Sequence, residues 1–140
     1  MSEQPTLFVA TKAIIVHEGK VLILRESGSY SDGTNVGRYD VSDGRLNPGE
    51  HFLDALRREV KEETGLDVEV GRPIAANEWR PEVRGEQWQI VGMFFGCHAS
   101  SSDVALSDDH DAYEWIDPKQ YDQYPLIENL KKTFEAYNRL

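Results

Sequence analysis

Residues 44–66 read GRLNPGEHFLDALRREVKEETGL. Phe52 to Thr64 is the clearest helix in the chain. Leu53, Leu56 and Val60 recur at i, i+3 and i+7, and Gly65 supplies a C-terminal stop. At about 100° per residue, Glu59, Glu62 and Glu63 fall within roughly a quarter of the helical circumference, beside that apolar stripe. Such a helix buries its apolar side on a sheet and presents three carboxylates along one edge. Like charges at these spacings repel by a few tenths of a kcal/mol per exposed pair, so something must offset them. Hard divalent cations such as Mg²⁺ prefer oxygen ligands and use a few carboxylates together with substrate phosphates. Solvated ion pairs are the competing account, since Arg58 lies four residues before Glu62 and Asp54 four before Arg58.

The segment leading into the helix, Asp43 to Glu50, reads as a loop with two glycines that enters the helix at its positive end. Further upstream, Leu7–Val16 and Val21–Arg25 are apolar runs joined by His17-Glu18-Gly19-Lys20, a hairpin signature. Glu26 to Tyr39 is polar, holds Gly28, Gly33 and Gly37, and reads as a loop, either a solvated connection or a cover over substrate. Downstream, Asp67–Val70 and Ile74–Glu78 read as two short strands around Gly71 and Pro73. Gln89–Ala99 is a nearly continuous apolar strand suited to a central position. Asp103–Asp111 reads as an acidic loop and Ala112–Ile116 as a last short strand. After Pro118, Leu126, Leu130 and Phe134 keep helical spacing towards Leu140. The pattern predicts a single α+β domain over residues 1–140: a mixed sheet with helices packed on its faces.

Composition narrows the function. A chain of 140 residues, 39% hydrophobic and 29% charged, suits one compact domain and contains no low-complexity tract. No apolar run approaches the roughly 18 residues needed to span a bilayer, and Met1–Pro5 lacks the marks of a secretory signal, so a cytoplasmic protein is expected. Cys97, the only cysteine, excludes an internal disulfide framework and a cysteine-rich zinc site, and reads as a small core residue. The formal net charge of −10 disfavours nucleic acid polymers and anionic membranes as partners. It remains compatible with a small anionic substrate held through a cation.

Taken together, Gly44, Glu50, Arg58-Glu59-Val60, Glu62-Glu63 and Gly65-Leu66 match G-x5-E-x7-R-E-U-x-E-E-x-G-U, where U is aliphatic. All nine constrained positions fit over 23 residues. In this the chain resembles the Nudix hydrolases. The resemblance implies an α/β/α sandwich whose loop–helix–loop binds Mg²⁺ or Mn²⁺ against a substrate diphosphate. It further implies that Glu59, Glu62 and Glu63 are metal ligands or their immediate partners, with the main-chain carbonyl of Gly44 a further ligand. Arg58 would hold the acidic side chains and Glu50 would brace the loop, so that Arg58, Glu59 and Glu62 carry the catalysis. Gly49 and Gly65 would serve conformation only. Water activated by the cation would lose its proton to a carboxylate. Glu59 is one candidate base, and the family also places such a base outside the box, which directs attention to Asp108 and Asp109. One departure stands out: the family often has Pro-Gly-Gly where this chain has Ser42-Asp43-Gly44.

For the substrate, Arg25 is a candidate phosphate ligand. Tyr39, Trp79 and Trp88 are candidates for stacking on a base, and Arg80 is a further binding candidate. Pro81 lies 16 residues after Gly65. Some Nudix subgroups that cleave ADP-ribose and related nucleotide sugars are similar in this, which tips the expectation slightly towards a nucleoside diphosphate joined to another group. Nucleoside triphosphates, normal or oxidised, are the alternative. A non-catalytic nucleotide sensor and an isoprenoid diphosphate isomerase are rivals of other classes, and a homodimer is a family-based expectation.

Overall fold

The structure, a computed structural model, describes residues 4–28 and 35–140. Eight strands and two α-helices are found among the described residues: β1 (Thr6–His17), β2 (Lys20–Glu26), β3 (Tyr39–Asp40), β4 (Ser42–Arg45), α1 (Phe52–Thr64), β5 (Val68–Trp79), β6 (Glu82–Val83), β7 (Glu86–Ala99), β8 (His110–Ile116) and α2 (Glu128–Asn138). A 3₁₀ turn, Pro118–Gln123, precedes α2. The sheet runs β3-β2-β1-β7-β5, with β4 on β1, β6 on β7 and β8 on β2. β1 and β7 are parallel from Thr6↔Trp88 to Val16↔His98, whereas the other pairs are antiparallel, so the sheet is mixed as the pattern predicts.

Pleating sends alternate residues of the central strands to opposite faces, and both faces are covered. Ile14, Val21, Ile23 and Phe94 pack with Leu130 and Phe134 of α2. Their neighbours Ala13, Ile15, Leu22, Leu24 and Phe95 pack with Leu56 and Val60 of α1. This is an α/β/α sandwich. Each fully buried Leu or Val here contributes about 1.5–3 kcal/mol relative to exposure. No helix among the described residues is long and apolar enough to cross a membrane.

Five local expectations change. Asp67–Val70 and Ile74–Glu78 belong to one strand, β5, whose register shifts between Val70 and Pro73 and again between Pro73 and Ala75. Pro73 cannot donate to a ladder, and β5 lies at the sheet edge, where such an interruption is tolerated. Asp43–Arg45, expected to begin a loop, forms with Ser42 a strand that pairs with Ala10–Ala13 of β1. Leu126 is buried but lies in a bridge to Tyr39 before α2 begins. Tyr39-Asp40 closes the expected 26–39 loop as a strand, and His110-Asp111 open β8 rather than ending a loop. Residues 29–34 of that first loop lie outside the described residues.

Candidate active site

The site begins where β4 leaves β1. Two residues along a strand advance about 6.6 Å, close to the rise of one helical turn, so alternate residues of β4 can each meet one turn of α1. Ser42 meets Glu63, and Gly44 lies beneath Glu59. A Cβ on Gly44 would collide with Glu59 Cγ and stand 2.8 Å from Cδ and 2.9 Å from Cβ. Gly44 is needed for this close approach, not for positive φ. Positive φ is required at Gly49 (φ 87°), in the turn before α1, and at Gly65 (φ 75°), the helix C-cap. In that turn the Asn47 N–H donates to Glu50 Oε1 at 3.1 Å, and the Glu50 N–H donates to Asn47 O at 3.1 Å.

Arg58 gathers the acids around it. Its Nη2 donates to Glu50 Oε2 (2.9 Å), and its Nη1 donates to Glu59 Oε1 (2.9 Å) and lies 3.5 Å from Glu62 Oε1. These bonds keep the guanidinium charged, and the Asn47 N–H with Arg58 lowers the Glu50 carboxyl. Asp54 pairs with Arg57, not with Arg58. Glu63 is buried: its Oε1 accepts from Ser42 Oγ (2.7 Å) and from the Asp43 N–H (3.1 Å). Burial first, and the neighbouring Asp43 second, push its carboxyl up to about 9. Burial also raises Glu59, partly offset by Arg58, and raises Asp43 against the pull of Lys12.

These acids open onto a cavity of about 290 Å³. Its wall carries Asp43, Gly44, Glu59 and Glu63, and also an aromatic group. Phe8 and Trp88 meet edge to face with centroids 4.7 Å apart, and the Arg45 guanidinium lies 3.6 Å from the Phe8 centroid. Trp79 lies against Gly92, where a Cβ would come within 2.6 Å of the indole. Lys12 is fully buried in the wall; its Nζ donates to Asp40 Oδ2 (2.9 Å), lies 3.7 Å from Asp43 Oδ2 and stands 4.9 Å from the Trp79 centroid.

The expected site residues are therefore split. Gly44, Glu59, Glu63, Trp79, Trp88 and Asp109 line the cavity. Glu62, with a side chain 58% exposed, stands outside the wall on the open helix face. Tyr39 is in the core, its ring against Tyr124 and its hydroxyl donating to Glu114 Oε2 at 3.1 Å, so it offers no face to a base. Arg25 does not line the cavity because Asp111 Oδ1 holds its Nε at 2.7 Å, and Arg80 is turned to Glu78 at 2.9 Å. Asp108 also lies outside the wall. Residues absent from the sequence reading are Lys12, Phe8, Arg45 and His110. A lysine inside the apolar run Val9–Val16 was the signal available for the first. His110 lines the cavity with Nδ1 buried and without a hydrogen-bond partner among the described residues, and burial lowers its pKa.

The donor set suits a hard divalent cation: all oxygen, partly buried, with carboxyls raised by burial and mutual repulsion, a condition such a cation relieves. Among the described residues no three acidic, His or Cys side chains stand in coordinating geometry. Glu59 and Glu62 instead each direct one oxygen to Arg58.

Comparison with known proteins agrees with this arrangement. The family model for the NUDIX domain matches residues 7–137. The nucleoside triphosphatase NudI of Salmonella agona strain SL483 is 28% identical over 121 residues, 81% of this chain and 84% of that protein. The crystal structure of a MutT protein from Methanosarcina mazei Go1 superposes with a TM-score of 0.86 at 25% identity, covering 99% of this chain and 97% of the other. The solution structure of the Escherichia coli ORF135 protein gives 0.73 at 25% identity, covering 97% and 91%. With an intact box on α1, a matched domain model and full-length structural neighbours, this chain belongs to the NUDIX domain family and is a Nudix pyrophosphohydrolase.

Proposed function

We propose that the protein hydrolyses a diphosphate linkage in a small nucleotide, with Mg²⁺ or Mn²⁺ held by Glu59, Glu63 and the Gly44 carbonyl. The observation that carries this reading is one cavity wall bearing both the carboxylates of Glu59 and Glu63 and the rings of Phe8, Trp79 and Trp88. An aromatic surface suits a base, and an acid pair suits a cation with its phosphates. When bound, the cation supplies neutralisation of diphosphate oxygens and acidification of water. Glu59 and Asp109, both in the wall, are the candidate acceptors of the water proton. Arg58 sets the direction of the Glu59 carboxylate and pairs at 3.5 Å with Glu62, which is the further box acid in reach of the cation side of the helix.

The nucleoside triphosphate reading is favoured by the relatives named nucleoside triphosphatase. A nucleoside diphosphate joined to a sugar is the second reading, favoured by Pro81 in the same wall. Incubation with Mg²⁺ and a panel of triphosphates, ADP-ribose, nucleotide sugars and dinucleoside polyphosphates, followed by product analysis, separates the two. Cleavage of triphosphates in preference to the rest, abolished by EDTA, is the expected result. Preferential cleavage of ADP-ribose or a nucleotide sugar establishes the second reading, and no metal-dependent cleavage by the folded protein rejects both.

A further inference from the structure

We infer that Ser42 is a positioning residue for Glu63, fixing which oxygen of that carboxylate faces the cation; the inference rests on the proposed role of Glu63 as a metal ligand. Ser42 is 1% exposed and opposite Ala13 of β1, so its hydroxyl is held by a paired strand and not by a loop. Its Oγ donates to Glu63 Oε1 at 2.7 Å, and the next peptide N–H, that of Asp43, donates to the same oxygen at 3.1 Å. Glu63 Oε2 accepts no hydrogen bond among the described residues, and Glu63 lines the cavity. Two donors on one oxygen determine both the χ angles and the rotation of the carboxylate plane. Oε2 is thereby left as the ligating atom, which makes Glu63 a one-oxygen ligand.

The chain's own residues are the reason this clamp exists. A proline at position 42, as the family often has, carries no hydroxyl and no N–H. The peptide donor from Asp43 alone fixes a direction of approach but leaves the carboxylate free to turn about that bond. Partners that orient a ligating side chain characteristically change metal affinity by about 10–100-fold when removed. The hydroxyl acts through Glu63 and touches neither substrate nor cation.

The test is Mn²⁺ binding to the substrate-free protein, followed by electron paramagnetic resonance of the unbound ion, in wild type, Ser42→Ala, Ser42→Cys and Glu63→Gln. Thermal denaturation of each metal-free protein runs alongside. Cysteine fills the space of serine with a much weaker donor, so it separates loss of the hydrogen bond from loss of packing. Expected are affinities about 10-fold weaker in both Ser42 variants, a larger loss in Glu63→Gln, and metal-free melting temperatures close to wild type for Ser42→Cys. With a cleavable nucleotide, the Mg²⁺ concentration for half-maximal rate rises in the Ser42 variants while the nucleotide KM at saturating Mg²⁺ holds. Wild-type Mn²⁺ affinity in Ser42→Ala, with Glu63→Gln weakened, overturns the positioning role and leaves the proposed function standing. Wild-type affinity in Ser42→Cys alone assigns the effect to packing and also overturns it. Undiminished binding in Glu63→Gln removes Glu63 from the ligands, and the role of Ser42 falls with it.

Discussion

Replacing Gly44 by alanine tests the join between β4 and α1 at its tightest point. The added methyl carbon would stand 2.8–2.9 Å from Glu59 Cδ and Cβ, with Cγ nearer still. Carbon atoms pack at about 3.5–4.0 Å, so the two elements must separate, or Glu59 must shift, by roughly an ångström. Rotation about χ1 cannot relieve this fully, because Glu59 Cβ is fixed to the helix backbone. Overpacking of this kind costs about 1–3 kcal/mol, and a misplacement of about 1 Å at a reacting group costs about 10²-fold in rate. The assay pairs kcat/KM for nucleotide hydrolysis with urea denaturation. Gly49→Ala is the control: it imposes the strained φ of 87° but meets nothing within 4 Å. It should lose about 1–2 kcal/mol of stability without the hundredfold loss of rate. If Gly44→Ala keeps kcat/KM within threefold of wild type, Glu59 does not depend on the close approach and the reasoning fails.

Three further outcomes follow from the same geometry. Glu63, pushed up to about 9 from an ordinary 4.5, keeps its proton in the metal-free fold where the unfolded chain has released it. Stability of the metal-free protein therefore falls as pH rises from about 4.5 to about 9, by at most about 1.4 kcal/mol per unit; melting curves of Glu63→Gln should show a flatter decline, and parallel curves would contradict the burial of the carboxyl. Lys12→Met leaves Asp40 and Asp43 without their cation; because Asp43 is 40% exposed, the loss in urea denaturation should fall below the about 3–5 kcal/mol of a fully buried pair. Lys12→Met with Asp40→Asn should recover part of it, and simple additivity would show the pair to be uncoupled. Trp88→Ala should raise KM by about 5-fold or more with kcat nearly unchanged, as loss of a stacking surface worth about 1–3 kcal/mol requires; a fall in kcat alone would remove Trp88 from substrate binding.

The helix and its acids were legible because their information is local. Leu56 and Val60 at helical spacing, Gly65 at the stop and the three glutamates are all read within one segment, and α1 spans Phe52–Thr64 as expected. Leu53 is only partly buried, whereas Ala55 is buried fully alongside Leu56 and Val60. What escaped was non-local. Ser42–Arg45 has no strand composition and is a strand because β1 offers it an edge. Lys12, Phe8 and Arg45 reach the cavity through the registers of β1 with β4 and β7, which the chain alone does not display. Tyr39 closes a polar loop and so suggests a ring free for stacking, whereas its bridge to Leu126 accompanies a ring packed in the core. Arg25 and Arg80 carry the right chemistry but have acidic partners, Asp111 on β8 and Glu78 near the end of β5, which stops just before Arg80.

The most direct test of the account is the Mg²⁺-dependent kcat/KM of Glu59→Gln and Glu63→Gln against wild type, on the nucleotide that the wild-type protein cleaves fastest. Folding of each variant is checked by thermal denaturation. The account predicts that EDTA abolishes wild-type hydrolysis and that both variants, though folded, lose at least about 10²-fold, the scale of a lost transition-state contact. Hydrolysis that survives EDTA, or folded variants that stay within a few-fold of wild type, would contradict it.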